Sequence, residues 1–96
     1  MTQEQKQQCK QIFKHYGTEN QLNKTTEEAG ELVQAIAKYR NEPSEENREH
    51  LAEECADTLI MIQQLNEIVG DKVDEFVQYK LNRQLKRIEV EKSMII

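Results

Sequence analysis

The chain has 96 residues and a formal net charge of -5, and hydrophobic residues make up 36% of it. A chain of this length is expected to form one domain, residues 1–96, with a modest core that is completed by oligomerisation. The acidic charge argues against a nucleic-acid binder. No apolar stretch approaches the ~18 residues that a membrane-spanning helix needs.

The first half of the chain predicts two helices. The first covers Thr2–Tyr16, with Thr2 as its cap and Gly17 as its C-terminal stop. The second runs from Thr18 to about Arg40 and repeats apolar residues at helical spacing. Helix is favoured over sheet because the whole chain contains three Gly and one Pro among many Glu, Gln and Lys residues.

The second half predicts two more helices. Ser44 caps a third helix that runs to about Val69, where Gly70 ends it. Asp71 caps a fourth helix, whose apolar residues recur at helical spacing: Val73, Phe76, Val77, Leu81, Leu85 and Ile88. The apolar tail, residues 94–96, either covers a partner subunit or frays. The predicted product is an all-α, four-helix, oligomeric domain.

Two acidic pairs are the most informative feature of the sequence. Glu28 and Glu31 form one pair and Glu54 and Asp57 the other, and the i, i+3 spacing places each pair on one face of its helix. Both faces adjoin apolar residues, where a carboxylate is costly unless a cation or a donor neutralises it. Four carboxylates from two helices suit Mg²⁺ or Mn²⁺.

Surface acids are the alternative explanation, because the chain has 18 Asp and Glu residues and chance pairs are common. Cys55 lies between Glu54 and Asp57 and is expected to be a buried packing residue, since a hard cation prefers oxygen. A di-iron carboxylate bundle is excluded, because neither His15 nor His50 follows a Glu by three residues.

The sequence around the acidic pairs resembles the MazG-type all-α nucleoside triphosphate pyrophosphohydrolases. The segment Glu27–Leu32 resembles the EExxE motif of that family, and Glu54–Asp57 resembles its ExxD motif. Lys80–Arg87 is similar to the basic segment that follows in such proteins. The resemblance covers about Gln21 to Arg87 and is strongest to small, phage- or Gram-positive-type MazG-like proteins.

The resemblance implies a homodimeric or homotetrameric enzyme that uses Mg²⁺, with Mn²⁺ as a substitute, to hydrolyse a nucleoside triphosphate to the monophosphate and pyrophosphate. The implied metal ligands are the four paired carboxylates: Glu28, Glu31, Glu54 and Asp57. Glu27 is implied as the carboxylate that activates water. The implied substrate contacts are six polar side chains: Lys80, Arg83, Arg87, Asn82, Lys24 and Gln21.

Two alternatives to this assignment stay open. A phosphoribosyl-ATP pyrophosphohydrolase of histidine synthesis suits the length, but Thr58–Met61 lacks a His such as that family tends to carry. A non-catalytic helical interaction or regulatory module is the second, although all four acidic positions are filled. A cytoplasmic location is expected, because Cys9 and Cys55 lack zinc spacing and the N-terminus is too polar for a signal peptide.

Overall fold

The computed structural model describes residues 1–94. Within that range the chain forms four helices and no strand: α1 (Gln3–Tyr16), α2 (Thr18–Asn41), α3 (Glu45–Val69) and α4 (Lys72–Ser93). The predicted all-α class is therefore confirmed, and the predicted helix ends lie close to the observed ones. Ile95 and Ile96, which belong to the predicted apolar tail, lie outside the described residues.

Local side chains start two of the helices as predicted. Thr2 Oγ1 accepts a hydrogen bond from the Gln5 backbone N–H at 3.1 Å, and Gln5 Oε1 accepts one from the Thr2 N–H at 2.8 Å. Ser44 Oγ accepts a bond from the Asn47 N–H at 3.1 Å. Asp71 occupies the cap position of α4, but its side chain makes no capping hydrogen bond.

Two glycines make the turns at which the sequence predicts a break. Gly17 has a φ of 86° between α1 and α2, and Gly70 has a φ of 67° between α3 and α4. Residues with a side chain rarely adopt such angles, so glycine is favoured at both positions. These turns set where α1 and α3 end.

The core lies between the first three helices. The α2–α3 interface is the most extensive, and α1 packs against both helices. Cys9 of α1, Ala35 of α2 and Met61 of α3 are buried, and Ala35 is 0% exposed. α1, α2 and α3 therefore form a small bundle that holds the polar site described below.

Helix α4 buries no residue. Within residues 1–94 it contacts α3 and neither α1 nor α2, and Phe76, Leu81 and Leu85 are each more than half exposed. The radius of gyration is 17.0 Å, against about 12.5 Å for a compact domain of this length. Within one chain, the fourth predicted helix therefore extends away from a three-helix core. No helix among the described residues has the length and apolar character needed to cross a bilayer.

Candidate functional site

Three carboxylates from α2 and α3 converge at one point on the bundle. One oxygen from each of Glu28, Glu54 and Asp57 lies within 4.8 Å of the other two. Glu28 and Glu54 are 7% and 8% exposed, whereas Asp57 is exposed. Helical spacing puts Glu54 and Asp57 on one side of α3, and the packing of α2 against α3 brings Glu28 to them. Such a group of oxygens suits a hard divalent cation.

Two oxygens of the clustered carboxylates have no hydrogen-bond partner within residues 1–94. Glu28 Oε2 and Glu54 Oε2 are buried and make no hydrogen bond within residues 1–94. Of the two remaining oxygens of these glutamates, Glu28 Oε1 lies 3.2 Å from Lys24 Nζ. Glu54 Oε1 lies 4.0 Å from His50 Nε2, which is too far for a hydrogen bond. Because an unpaired buried carboxylate oxygen is costly, a cation bound between the helices would stabilise both. The donor set therefore fits a divalent metal ion.

Glu31, the fourth predicted metal ligand, is exposed and is not one of the three clustered carboxylates. Repulsion from Glu28 raises the pKa of Glu31 above its ordinary value, and desolvation and repulsion from Glu54 and Glu27 add to this effect. Glu31 is therefore close enough to the cluster for the charges of Glu28 and Glu54 to raise its pKa.

We expect Glu31→Gln to raise the Tm of the metal-free protein at about pH 7, because it removes this repulsion. The raised pKa means that the folded protein holds the Glu31 proton more tightly than the unfolded chain does. The contribution of Glu31 to the free energy of unfolding is therefore fully present below the unfolded pKa and is lost as pH rises through the folded pKa.

The gain in Tm should consequently disappear below about pH 4, near the ordinary glutamate pKa. Thermal unfolding of the two proteins, followed by circular dichroism in the presence of a chelator at several pH values, measures this difference in Tm. Glu67→Gln is the matched control, because Glu67 is an exposed glutamate near the C-terminal end of α3 and is not one of the clustered carboxylates. An unchanged Tm for Glu31→Gln at neutral pH would contradict the prediction.

Lys24 and Glu27 lie beside the cluster on α2. Lys24 Nζ is 3.8 Å from Glu27 Oε2 and 3.2 Å from Glu28 Oε1. The hydrogen bond to Glu28 is the main cause of a raised pKa at Lys24, and the charge of Glu27 raises it further. Glu27, for which the family resemblance implies a role in water activation, is exposed and is not among the clustered carboxylates. Lys24 thus supplies the nearest positive charge to Glu28.

An open cleft of about 520 Å³ adjoins the carboxylates, between α1, α2 and α3. Its larger apolar and aromatic lining residues are Ile12, Tyr16, Ile60 and Met61. Its polar lining residues are Asn20, Gln21, Lys24, Glu28, Asp57 and Gln64. The cleft therefore combines an apolar wall with two of the clustered carboxylates, an arrangement typical of small-molecule sites. Two of the predicted substrate residues, Gln21 and Lys24, line it.

The predicted substrate residues of α4 do not line this cleft in their own chain: Lys80, Asn82, Arg83 and Arg87. All four are exposed. The Arg83 guanidinium lies 5.6 Å from the centroid of the Tyr79 ring, and Asn82 Oδ1 accepts a hydrogen bond from Gln78 Nε2 at 3.1 Å. The sequence placed these residues on a helix correctly, but it contained no signal for the direction in which that helix runs.

Gln64 is a cleft residue that the sequence analysis missed. It is 1% exposed, and its Oε1 accepts a hydrogen bond from Gln21 Nε2 at 2.8 Å. Its Nε2 donates to Met61 Sδ at 3.6 Å. The available signal was a polar residue three positions after the apolar Met61, on the inward face of a helix.

The burial predicted for Cys55 is wrong, because its side chain is exposed. Glu54 takes the inward position on α3, and the next residue of a helix points about a quarter turn away from it. The buried thiol is instead Cys9, and both cysteines are free.

Comparison with known protein families gives a match over most of the chain. The sequence model of the MazG nucleotide pyrophosphohydrolase domain matches residues 17–87. That range contains α2, α3 and most of α4. Comparisons with curated proteins and with solved structures found no significant match. The family typically uses a divalent metal ion, which agrees with the carboxylate cluster. Because the matched range covers more than half of the chain, the protein belongs to the MazG nucleotide pyrophosphohydrolase family.

Proposed function

We propose that this protein hydrolyses a nucleoside triphosphate to the monophosphate and pyrophosphate, with Mg²⁺ held by Glu28, Glu54 and Asp57. The observation that supports the proposal is the pair of buried, unpartnered oxygens, Glu28 Oε2 and Glu54 Oε2, within a cluster of carboxylates of which Glu28 and Asp57 line the cleft. Glu31 is proposed as a further ligand, since its raised pKa reflects the same group of charges. Residues 1–96 are proposed to act as one domain.

The proposed reaction needs no covalent nucleophile. When bound, Mg²⁺ offsets the charge of the triphosphate and polarises its oxygens. Glu27 accepts a proton from a water molecule whose oxygen forms a bond to the α-phosphorus. The bond from the α-phosphorus to the bridging oxygen breaks, and its electron pair leaves with pyrophosphate.

Lys24 and Gln21 are proposed to contact the substrate from α2. Lys24 neutralises Glu28 at 3.2 Å, and a cation at the cluster would free its ammonium group for the triphosphate. Gln21 lines the same cleft, where the nucleoside would lie. The apolar wall of the cleft supports this placement, because a nucleobase presents two apolar faces.

The exposed face of α4 supports a homodimer or homotetramer. Val77, Leu81 and Leu85 are exposed apolar residues on one side of the helix. A second copy is the proposed cover, because a small helical domain commonly completes its core in this way. The basic residues border that side by helical spacing: Lys80, Arg83 and Arg87. Packing would therefore carry these side chains to the edge of the contact, where they can bind the triphosphate in a neighbouring subunit.

Pyrophosphate release tests the proposed function. We expect release from at least one (deoxy)nucleoside triphosphate in a panel that also contains phosphoribosyl-ATP, and we expect it to require Mg²⁺ or Mn²⁺. Release from phosphoribosyl-ATP alone would reassign the substrate. A folded protein that releases pyrophosphate from no compound in the panel would contradict the proposal and favour a binding or regulatory role.

A further inference from the structure

A buried amide pair forms part of the cleft wall beside the carboxylates. Gln21 of α2 is 5% exposed and Gln64 of α3 is 1% exposed, and both line the cleft. Gln21 Nε2 donates to Gln64 Oε1 at 2.8 Å. Burying two long polar side chains in a small core is costly unless their donors and acceptors are used. Their mutual bond uses one donor and one acceptor only.

Met61 determines the orientation of the amide pair. Gln64 Nε2 donates to Met61 Sδ at 3.6 Å, and a thioether sulfur can only accept. Turning both amides over would place Gln64 Oε1 against the sulfur, so that two acceptors would face each other and this bond would be lost. The orientation in which Gln64 Oε1 faces Gln21 is therefore favoured.

This orientation leaves the carbonyl oxygen of Gln21 available. Gln21 Oε1 accepts no hydrogen bond within residues 1–94, and unlike Glu28 Oε2 and Glu54 Oε2 it is not sealed from solvent. The surrounding wall includes the apolar side chains of Ile12 and Ile60. An acceptor at this place in the wall favours a ligand N–H and disfavours a ligand carbonyl.

We propose that Gln21 selects nucleotides whose base carries an amino group at pyrimidine C4 or purine C6, namely cytosine and adenine, over their carbonyl counterparts. The proposal rests on the proposed function, because it assigns the cleft to the nucleobase. Gln21 contacts the base, whereas Gln64 and Met61 are positioning residues that hold its amide. Selection comes from the bond to the amino group and from repulsion of a carbonyl at the same position.

Two isosteric substrate pairs test the selection. We expect kcat/KM for pyrophosphate release to be about tenfold or more higher for dCTP than for dUTP, and for dATP than for dITP. Metal-dependent release with equal values, or with the carbonyl member preferred, would overturn the selection and leave the pyrophosphohydrolase activity standing.

A binding measurement separates this inference from the proposed function. Isothermal titration calorimetry with the α,β-imido analogues of dCTP and dUTP reports the base preference without turnover. A preference for the cytosine analogue supports the selection even in a protein that hydrolyses nothing. Equal binding of the two analogues overturns it.

Three variants separate base contact from simple packing. Gln21→Leu and Met61→Leu should each bring the dCTP-to-dUTP ratio of kcat/KM towards one, the first by removing the acceptor and the second by freeing the amides to turn. Gln11→Leu is the control: it makes the same Gln-to-Leu substitution at an exposed position of α1 and should leave the ratio of kcat/KM unchanged. An equal loss for both nucleotides in Gln21→Leu and Met61→Leu, with the ratio preserved, would show that the pair only packs.

Discussion

Replacing Glu28 with Gln is expected to lower kcat for pyrophosphate release by about a thousandfold or more. Glu28 is 7% exposed and shares the cluster with Glu54 and Asp57, so its charge cannot be replaced by solvent. An amide offers one neutral oxygen where the carboxylate offered two charged ones, and Mg²⁺ prefers carboxylates. Asp57→Asn should have a similar effect, because it also removes one negative charge from the cluster.

The same substitutions should raise the stability of the metal-free protein although they lower its activity. Without metal, Glu28→Gln should keep the helical circular dichroism spectrum and have a higher Tm, because it relieves repulsion between Glu28 and Glu54. Millimolar Mg²⁺ should raise the Tm of the unaltered protein and leave that of Glu28→Gln unchanged. Glu67→Gln is the control and should behave as the unaltered protein. Full turnover in Glu28→Gln, together with the same rise in Tm on addition of Mg²⁺ as in the unaltered protein, would contradict the assignment of the metal site.

Placing a charge on the apolar side of α4 is expected to separate the subunits and to abolish most of the activity. Leu81 is 54% exposed in the single chain, and Leu81→Asp would place an unpaired carboxylate in the proposed contact. Sedimentation velocity should show a monomer for Leu81→Asp and an oligomer for the unaltered protein. Asn82→Asp adds the same charge on another side of α4 and should keep the oligomer. An unaltered protein that is monomeric at micromolar concentration would contradict the proposed assembly.

Mixing two inactive variants tests whether α4 contributes to the neighbouring site. In a mixed dimer of Glu28→Gln and Arg83→Ala chains, contact between subunits would leave one site with both changes and one site with neither. Activity should then recover after the two proteins are unfolded and refolded together. If Arg83 serves only the site of its own chain, every mixed site carries one change and no activity returns.

The helices were predictable because their ends depend on a few neighbouring residues. Thr2 and Ser44 make capping bonds within three residues, and Gly17 and Gly70 supply backbone angles that other residues rarely adopt. The inward position of Glu54 follows from helical periodicity in the same way. Features that depend on spacing along one helix were therefore accessible from the sequence.

Features that depend on contacts between helices were not accessible. The bond between Gln21 and Gln64 joins residues 43 positions apart, and no periodicity relates positions on two different helices. The amphipathic pattern of α4 predicted a buried face but not what would cover it. The predicted four helices are present, but the sequence did not show that α4 contributes no buried residue within residues 1–94.

Within residues 1–94, helix α4 packs only against α3 and is otherwise supported by local interactions. Its polar contacts include the ion pairs Lys72–Glu75 and Lys86–Glu89 and the bond between Gln78 and Asn82. Such exposed pairs contribute only a few tenths of a kcal/mol each, and most of the stability of a helix in a protein comes from tertiary packing of its apolar face. We therefore expect an uncovered α4 to exchange between helix and coil, and in the proposed assembly the second copy that covers α4 would also stabilise its helical form. If the proposed assembly forms, folding of α4 and association of the subunits are one equilibrium, and the helical content of α4 should increase with protein concentration.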